Sequence, residues 1–307
     1  MPVANLYLIG APKCGTTTVA GWLGGHRDVY WSTPKEPYYW AADFPGQRAH
    51  YGFDTRAAYE SLYSSVDACS ATYRGDASTT YLYSDQAVQQ ICANVADPRF
   101  IVCLRDPVDL VVSYHRTQLV ALNEDEPDLA IAWRRSLSGH LPRSIPLDPK
   151  LVDYPRIGRL GAAMQRLYEL VPRERVHVVV LDDLRDDPAG TWRRLALDLG
   201  LDPDPMPELT VANQSNKAHR LPALRRLTHR PPTALAPSVR RLRQWSRTTS
   251  LPGIPAIKQS VWRPEPRPTL DPQLRVDLQD YFRSDLALLV RLLSRDPTAW
   301  TTPLPNA

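Results

Sequence analysis

The feature that most constrains the fold of this chain lies near its start, where an apolar strand meets a glycine-rich turn and then a helix. Residues Leu6–Leu23 have the sequence LYLIGAPKCGTTTVAGWL. Apolar runs recur at Phe100–Leu104 and Val176–Leu181, and helical periodicity follows each of them. Strands that alternate with helices predict a parallel sheet with crossover helices. We therefore predict an α/β fold, with a central, mostly parallel sheet flanked by helices.

Helical periodicity and length predict the organisation of the rest of the chain. The last helix follows Asp271-Pro272, which fits an N-cap and a first helical position. The 307 residues predict a single domain over 1–307, with a Pro- and Arg-rich excursion at about 203–270 that covers the carboxyl edge of the sheet. The predicted helices are Thr16–Leu23, Gln86–Val95, Val108–Leu122, Ile157–Val171, Gly190–Leu199 and Leu274–Leu293.

Composition narrows the class of protein. The four cysteines lack C-x-x-C spacing, which favours reduced thiols over a disulfide framework or a zinc site. The N-terminal apolar run Leu6–Ile9 is too short for a signal peptide or a spanning helix. These features predict a cytoplasmic protein without a membrane span.

A basic block lies between Glu208 and Glu265, where eleven Lys and Arg residues occur without any Asp or Glu. Such a block is typical of a solvated surface or of an anion-binding segment. It lacks the regular aromatic residues of a single-strand groove, so no nucleic-acid partner is predicted. A non-catalytic module that binds an acidic polymer is one interpretation that the block leaves open.

The turn after the first strand is a candidate anion site. Gly10 and Gly15 have the G-x-x-x-x-G spacing of a phosphate-binding P-loop. The N–H groups of Cys14 to Thr17 would point at an anion, and Lys13 would supply a mobile cation. In a nucleoside triphosphatase the lysine follows the second glycine, whereas Lys13 precedes it. The turn therefore either binds a different anion or serves only to make the corner.

Two further segments contain candidate binding or catalytic residues. Arg105 ends the second apolar run and Ser113 follows about two helical turns later, so that a guanidinium and a hydroxyl could bind a second phosphate. Arg105 could instead pair with Asp106 or Asp109.

The segment STPKEPYYW places the Lys35-Glu36 pair before Tyr38, Tyr39 and Trp40. The Glu36 carboxylate is a candidate general base toward a hydroxyl. Alternatively, Lys35 and Glu36 form an exposed pair that precedes a buried aromatic cluster.

Together these motifs resemble, in order and spacing, the sulfotransferases that use 3′-phosphoadenosine 5′-phosphosulfate (PAPS), in particular the heparan-sulfate and bacterial carbohydrate-type branch. PKCGTTTV is similar to the 5′-phosphosulfate loop, RDPVDLVVSYHRTQ to the 3′-phosphate motif, and PKEPYYW to the segment with the base. GDASTTYLY is similar to the segment beside the sulfate. The resemblance implies a P-loop-like nucleotide-binding fold, sulfuryl transfer to a hydroxyl of a small-molecule, glycan or natural-product acceptor, and no required metal.

The resemblance also implies residue roles. Lys13 would contact the 5′-phosphate and the bridging oxygen, and Glu36 would accept the proton of the acceptor hydroxyl. Arg105 and Ser113 would bind the 3′-phosphate. Some branches use His as the base, which makes His115 an alternative. The other implied residues are Cys14, Gly15, Thr16, Thr17 and Thr18 for the cofactor, and Tyr38, Tyr39, Trp40, Ser78 and Tyr81 for the acceptor.

Two departures from the family pattern stand out. The heparan-sulfate branch has Lys where Ala77 stands, so Lys35 or another cation would have to serve there. The glycine-rich 3′-phosphate loop before the last helix is replaced by VWRPEPRPTLDP, which leaves Arg263 and Arg267 as candidate substitutes.

A P-loop kinase that uses Mg-ATP is the alternative enzyme class. VHVVVLDDL can pass for a Walker-B strand that ends in Asp182. Asp182 and Asp183 are otherwise an N-cap and a first-turn acid of the next helix. A sulfuryl group carries less negative charge than a γ-phosphoryl group, so its transfer can proceed with protein cations alone, whereas phosphoryl transfer normally recruits Mg²⁺.

Overall fold

The computed structural model describes residues 3–208, 217–219, 238–239, 242, 262–264, 270–293 and 300. Its centre is a five-stranded sheet in which all neighbouring strands are parallel. The strands are β1 (Leu6–Gly10), β2 (Val29–Trp31), β3 (Tyr73–Asp76), β4 (Arg99–Leu104) and β5 (Val176–Val180). Their order is β2-β3-β1-β4-β5, which places β1 in the middle. A separate antiparallel pair joins β6 (Lys217–His219) to β7 (Trp262–Pro264).

Helices connect the strands of the sheet, as the alternating pattern predicts. The predicted α/β fold with a central parallel sheet flanked by helices is therefore confirmed. The helices are α1 (Thr16–Gly24), α2 (Pro45–Tyr51), α3 (Arg56–Glu60), α4 (Val66–Ser70), α5 (Ala87–Asn94), α6 (Pro107–Val120), α7 (Leu129–Leu137), α8 (Tyr154–Gly158), α9 (Leu160–Leu170), α10 (Leu181–Asp186), α11 (Pro188–Asp198) and α12 (Pro272–Leu293). Within the part of the chain that the structure describes, no helix has both the length and the apolar surface that a membrane span needs.

The central strands lie in the core because helices cover a parallel sheet of this kind. All five residues of β1 are buried, and so are five of the six residues of β4. This continuous apolar character made both strands predictable. Strands β2 and β3 were missed because β2 has only three residues and β3 has only four, two of them charged. Gly75 of β3 is needed there, since a Cβ at this position would lie 2.1 Å from the Trp31 ring.

The prediction of one helix over Ile157–Val171 was wrong, because the chain breaks between α8 and α9. A Cβ on Gly158, the last residue of α8, would lie 2.2 Å from Cζ of Phe282 on α12. The N–H groups of Gly161 and Ala162 at the start of α9 both donate to the Asp285 carboxylate of α12, at 2.7 and 2.9 Å. Contacts with a distant helix thus set this break.

Candidate functional site

A cavity of about 410 Å³ lies where the segments that follow β1 and β4 meet. Open α/β sheets bind ligands at the carboxyl ends of their strands, and this cavity has that position. Lys13, Glu36 and Arg105 all line it, although they come from three separate sequence motifs. Thr16, Thr17 and Thr18 line the same cavity at the N-terminus of α1, and so does Gly15.

The turn between β1 and α1 depends on positive φ angles at three positions. Gly10 has φ 148°, Lys13 has φ 66° and Gly15 has φ 90°. A side chain at Gly15 would also approach Cδ1 of Leu181 to 3.1 Å. Gly15 is the N-cap of α1, so the free N–H groups of the first turn begin at this point. Together with Lys13, they form an electropositive wall of the cavity.

Lys13 is a partly desolvated cation. Burial lowers the pKa of Lys13, and the Arg105 guanidinium lowers it further, whereas the Glu36 carboxylate opposes both effects. Arg105 Nη1 donates to the Lys13 carbonyl oxygen at 3.1 Å and so ties the turn to the end of β4. Two cations and one carboxylate are therefore close enough to act on one ligand.

Arg105 also makes the ion pair that the sequence left open, with its Nη2 3.3 Å from Asp109 Oδ2. It lines the cavity nonetheless. Arg105 Nε and Ser113 Oγ are buried and have no hydrogen-bond partner among the described residues. Buried polar atoms are nearly always satisfied, so each of these two atoms could take a further hydrogen-bond partner, although Ser113 itself is not part of the cavity lining. Ser113 follows Asp109 by four residues on α6, which places both on one face of that helix.

Two neighbours hold the Glu36 carboxylate. Lys35 Nζ lies 3.2 Å from Glu36 Oε1, close enough for an ion pair but poorly directed for a hydrogen bond. The Tyr38 hydroxyl donates to Glu36 Oε2. Tyr38 has φ 59°, and its N–H donates to Ser78 Oγ at 2.9 Å. The carboxylate is thus fixed at the cavity, whereas Lys35 itself does not line it.

A fully buried carboxylate, Asp76, lies next to Ser78, the residue that accepts the Tyr38 N–H. Its Oδ1 accepts the N–H and the hydroxyl of Ser78, at 3.0 and 2.6 Å. Its Oδ2 accepts the hydroxyls of Tyr59 and Tyr81, at 3.0 and 2.9 Å. Burial raises the pKa of Asp76 to about 6, although these hydrogen bonds oppose the shift. The network fixes Ser78, which in turn holds the backbone of Tyr38.

Of the residues predicted to bind the acceptor, Tyr38 lines the cavity. Ser78 and Tyr81 are buried in the network of Asp76, behind the cavity surface. Tyr39 and Trp40 pack with Tyr59 and are not part of the lining. Cys14 is fully buried and is not part of the lining, although Lys13 and Gly15 on either side of it are. The side chains of Arg263 and Arg267 lie outside the described residues.

The alternative base, His115, is not at the cavity. Its side chain is buried, its ring packs against Tyr154, and its Nε2 lies 2.8 Å from the Glu126 carbonyl oxygen. Burial lowers the pKa of His115. Its contacts with Tyr154 of α8 and the Glu126 carbonyl oxygen thus hold the ring outside the cavity lining, whereas Glu36 lies in it, and this position favours Glu36 as the base.

The sequence missed a second wall of the cavity, which comes from α2 and the end of α6. Gln47, His50 and Tyr51 of α2 line the cavity, and so do Gln118 and Asn123. Helix α2 has seven residues, and the N–H groups of Gly46 and Gln47 donate to the distant carboxylate of Asp148, at 2.9 and 2.7 Å. Pro45 at its first position was the one local signal of this helix.

The candidate Walker-B residue has a structural role. Asp182 lies in the first turn of α10 with Asp183. Its carboxylate accepts Nη2 of Arg185 at 2.5 Å and Nε1 of Trp300 at 2.7 Å. Across the described ranges, no group of three His, Cys, Asp or Glu side chains is placed to hold a metal ion.

No protein-family model and no curated protein matches this sequence. Among solved structures, a sulfotransferase from Alicyclobacillus acidocaldarius is 20% identical, with 98% of this chain and 100% of that chain covered and a TM-score of 0.70. The sulfotransferase domain from the curacin biosynthetic pathway is 15% identical, covers 96% and 99%, and has a TM-score of 0.45. Mouse sulfotransferase SULT7A1 complexed with PAP is 14% identical, covers 95% and 85%, and has a TM-score of 0.39. The similarity to the Alicyclobacillus acidocaldarius structure shows that this chain has the sulfotransferase fold, as its motifs predict.

Proposed function

We propose that this protein transfers the sulfuryl group of PAPS to a hydroxyl of a small-molecule, glycan or natural-product acceptor. The observation that carries the proposal is that Lys13, Arg105 and Glu36 line one cavity in a chain with the sulfotransferase fold. A cation at a helix N-terminus, a second cation and a carboxylate are the groups that this transfer needs.

Unpartnered polar groups support PAPS as the donor. The N-terminus of α1 and Lys13 would hold the 5′-phosphosulfate. Arg105 Nε and Ser113 Oγ, both buried and unpartnered within the described ranges, would bind the 3′-phosphate. PAPS supplies a sulfuryl group on an activated phosphate, and the product would be 3′-phosphoadenosine 5′-phosphate (PAP).

Within the proposed reaction, each of the three side chains has one task. Lys13 stabilises the negative charge that develops on the leaving phosphate oxygen. Glu36 accepts the proton of the acceptor hydroxyl, and the hydrogen bond from Tyr38 holds its carboxylate in place. The amides of Gln47 and Gln118 and the ring of Tyr51 suit an acceptor that has hydroxyl groups and an apolar face.

The test has two stages. Thermal unfolding is first recorded with PAP and with ATP, and PAP is expected to raise Tm more because it has phosphates at both ends of the ribose. Mass spectrometry then screens alcohols, phenols and glycans with PAPS for the mass of one added sulfuryl group. Stabilisation by ATP alone, or phosphorylated products with Mg-ATP, would instead support the kinase.

We also propose a cytoplasmic location. Cys14, Cys69, Cys92 and Cys103 are all free thiols, which suits a reducing compartment. A cell fractionation that recovers the protein with periplasmic or secreted markers would contradict this.

A further inference from the structure

Two arginines from distant elements share the carboxylate of Asp109, and one of them, Arg105, lines the cavity. Arg105, at the end of β4, lies 3.3 Å from Asp109 Oδ2 through its Nη2. Arg275, in the first turn of α12, places its Nη2 3.2 Å from Asp109 Oδ1. All three side chains are partly buried, with exposed fractions of 20% for Arg105, 29% for Arg275 and 44% for Asp109. Their charges are therefore screened less than those of fully exposed groups.

The charge balance of this triad depends on Arg275. Arg105 and Asp109 alone would form a neutral pair, and a neutral pair attracts an anion only weakly. With Arg275 on the other oxygen of Asp109, the three side chains sum to one positive charge. The nearby Asp106 carboxyl group also interacts with Arg275, and burial raises the pKa of Asp106, which favours its neutral form. The unpartnered Nε shows that Arg105 still has a donor for a further acceptor.

Arg275 is one of several contacts between α12 and the rest of the protein. Leu274, Leu278, Phe282, Leu286 and Leu289 of this helix are all buried and provide its apolar contact. Asp285 adds hydrogen bonds to the start of α9. The contact between Arg275 and Asp109, which are 166 residues apart in sequence, therefore has a role beyond the attachment of α12.

We propose that Arg275 is a positioning residue for the second phosphate of the donor. It neutralises Asp109, so that the charge and the free Nε of Arg105 remain available to the 3′-phosphate. In the sequence it follows the segment VWRPEPRPTLDP by three residues. This inference rests on the proposed function, because it takes PAPS or PAP as the ligand.

The test compares two nucleotides that differ by one phosphate. Calorimetric titration of the full chain measures the Kd of PAP and of adenosine 5′-phosphate, which lacks the 3′-phosphate. In Arg275→Gln, we expect the affinity for PAP to fall about tenfold and that for adenosine 5′-phosphate to stay unchanged. The matched control is Arg283→Gln, on an exposed position of the same helix that pairs with Asp280, and it should change neither value.

A second variant separates charge from structure. Asp109→Asn added to Arg275→Gln restores the net positive charge and should recover the preference for PAP. Arg275→Lys keeps the charge and should retain it too. An unchanged preference in Arg275→Gln, an equal loss for both nucleotides, or failure of Asp109→Asn to restore binding would each overturn the inference. If the wild type itself does not prefer PAP, the PAPS assignment falls, and this inference falls with it.

Discussion

At the residue scale, the carboxylate of Glu36 has two fixed neighbours and faces the same cavity as Lys13. The glutamate can receive a proton there without moving far, because Tyr38 and Lys35 already hold its two oxygens. The motif that contains Glu36 could be recognised in the sequence. Its support could not, since the Tyr38 N–H donates to Ser78 Oγ, 40 residues away in sequence, and Ser78 is in turn held by Asp76.

Replacing Glu36 should separate catalysis from binding. Glu36→Gln keeps the shape but removes the proton acceptor, so we expect kcat to fall about 10²- to 10⁴-fold while PAP still raises Tm. Rates are measured with PAPS and an acceptor from the screen. The exposed Glu169→Gln on α9 serves as a control. Full turnover in Glu36→Gln would show that another group is the base.

Replacing Tyr38 should lower the reaction rate through the loss of its hydrogen bond to Glu36. Tyr38→Phe keeps the ring that packs edge-on against Tyr51, at 4.5 Å, and removes the hydroxyl that donates to Glu36. We expect kcat to fall about tenfold with PAP affinity unchanged. In the Glu36→Gln background, the same change should have no further effect, because residues that act as a unit are not additive. An additive loss in the double variant would contradict this coupling.

At the element scale, long-range contacts decide where several helices begin and end. The break between α8 and α9 depends on Phe282 and Asp285 of α12, so the local periodicity over Ile157–Val171 could not predict it. Helix α2 similarly depends on Asp148. The long apolar strands β1 and β4 were predictable because burial on both faces leaves a continuous signal.

Two glycines in helices should respond in opposite ways to alanine. A Cβ at Gly161 of α9 would lie 2.2 Å from the Asp285 carbonyl oxygen, whereas one at Gly21 of α1 would meet nothing within 4 Å. Gly161→Ala should lower the free energy of unfolding by about 3 kcal/mol, because α9 and α12 must separate. Gly21→Ala should raise it by up to about 1 kcal/mol through helix propensity. Urea denaturation measures both, and equal effects would contradict the close approach of α9 and α12.

At the scale of the whole molecule, the buried Asp76 should make stability depend on pH. The pKa of Asp76 is about 6 in the folded protein and 3.8 as the ordinary value, so folding favours the protonated form. Its contribution is therefore fully present below about pH 4 and is lost as the pH rises through about 6, on the order of 3 kcal/mol in total.

Urea denaturation from about pH 4 to pH 7 tests this dependence. The free energy of unfolding of the wild type, relative to Asp76→Asn, should decrease over that range. The exposed Asp277→Asn on α12 should show a constant difference from the wild type. A constant difference for Asp76→Asn as well would mean that the carboxyl group titrates normally.

Chelation should leave the reaction intact. If protein cations alone stabilise the transferring group, EDTA will not change the rate with PAPS, whereas a kinase would lose activity with its Mg²⁺. Initial rates with and without EDTA decide between the two, and a loss that added Mg²⁺ restores would contradict the metal-free mechanism.

The most direct test of the account is a crystal structure with PAP bound. We predict one nucleotide that touches both motifs, with its 5′-phosphate on Lys13 and the N-terminus of α1 and its 3′-phosphate on Arg105 and Ser113. The 5′-phosphate should face Glu36 across the space for the sulfuryl group. A nucleotide that contacts only one of the two motifs, or that lies outside this cavity, would contradict it.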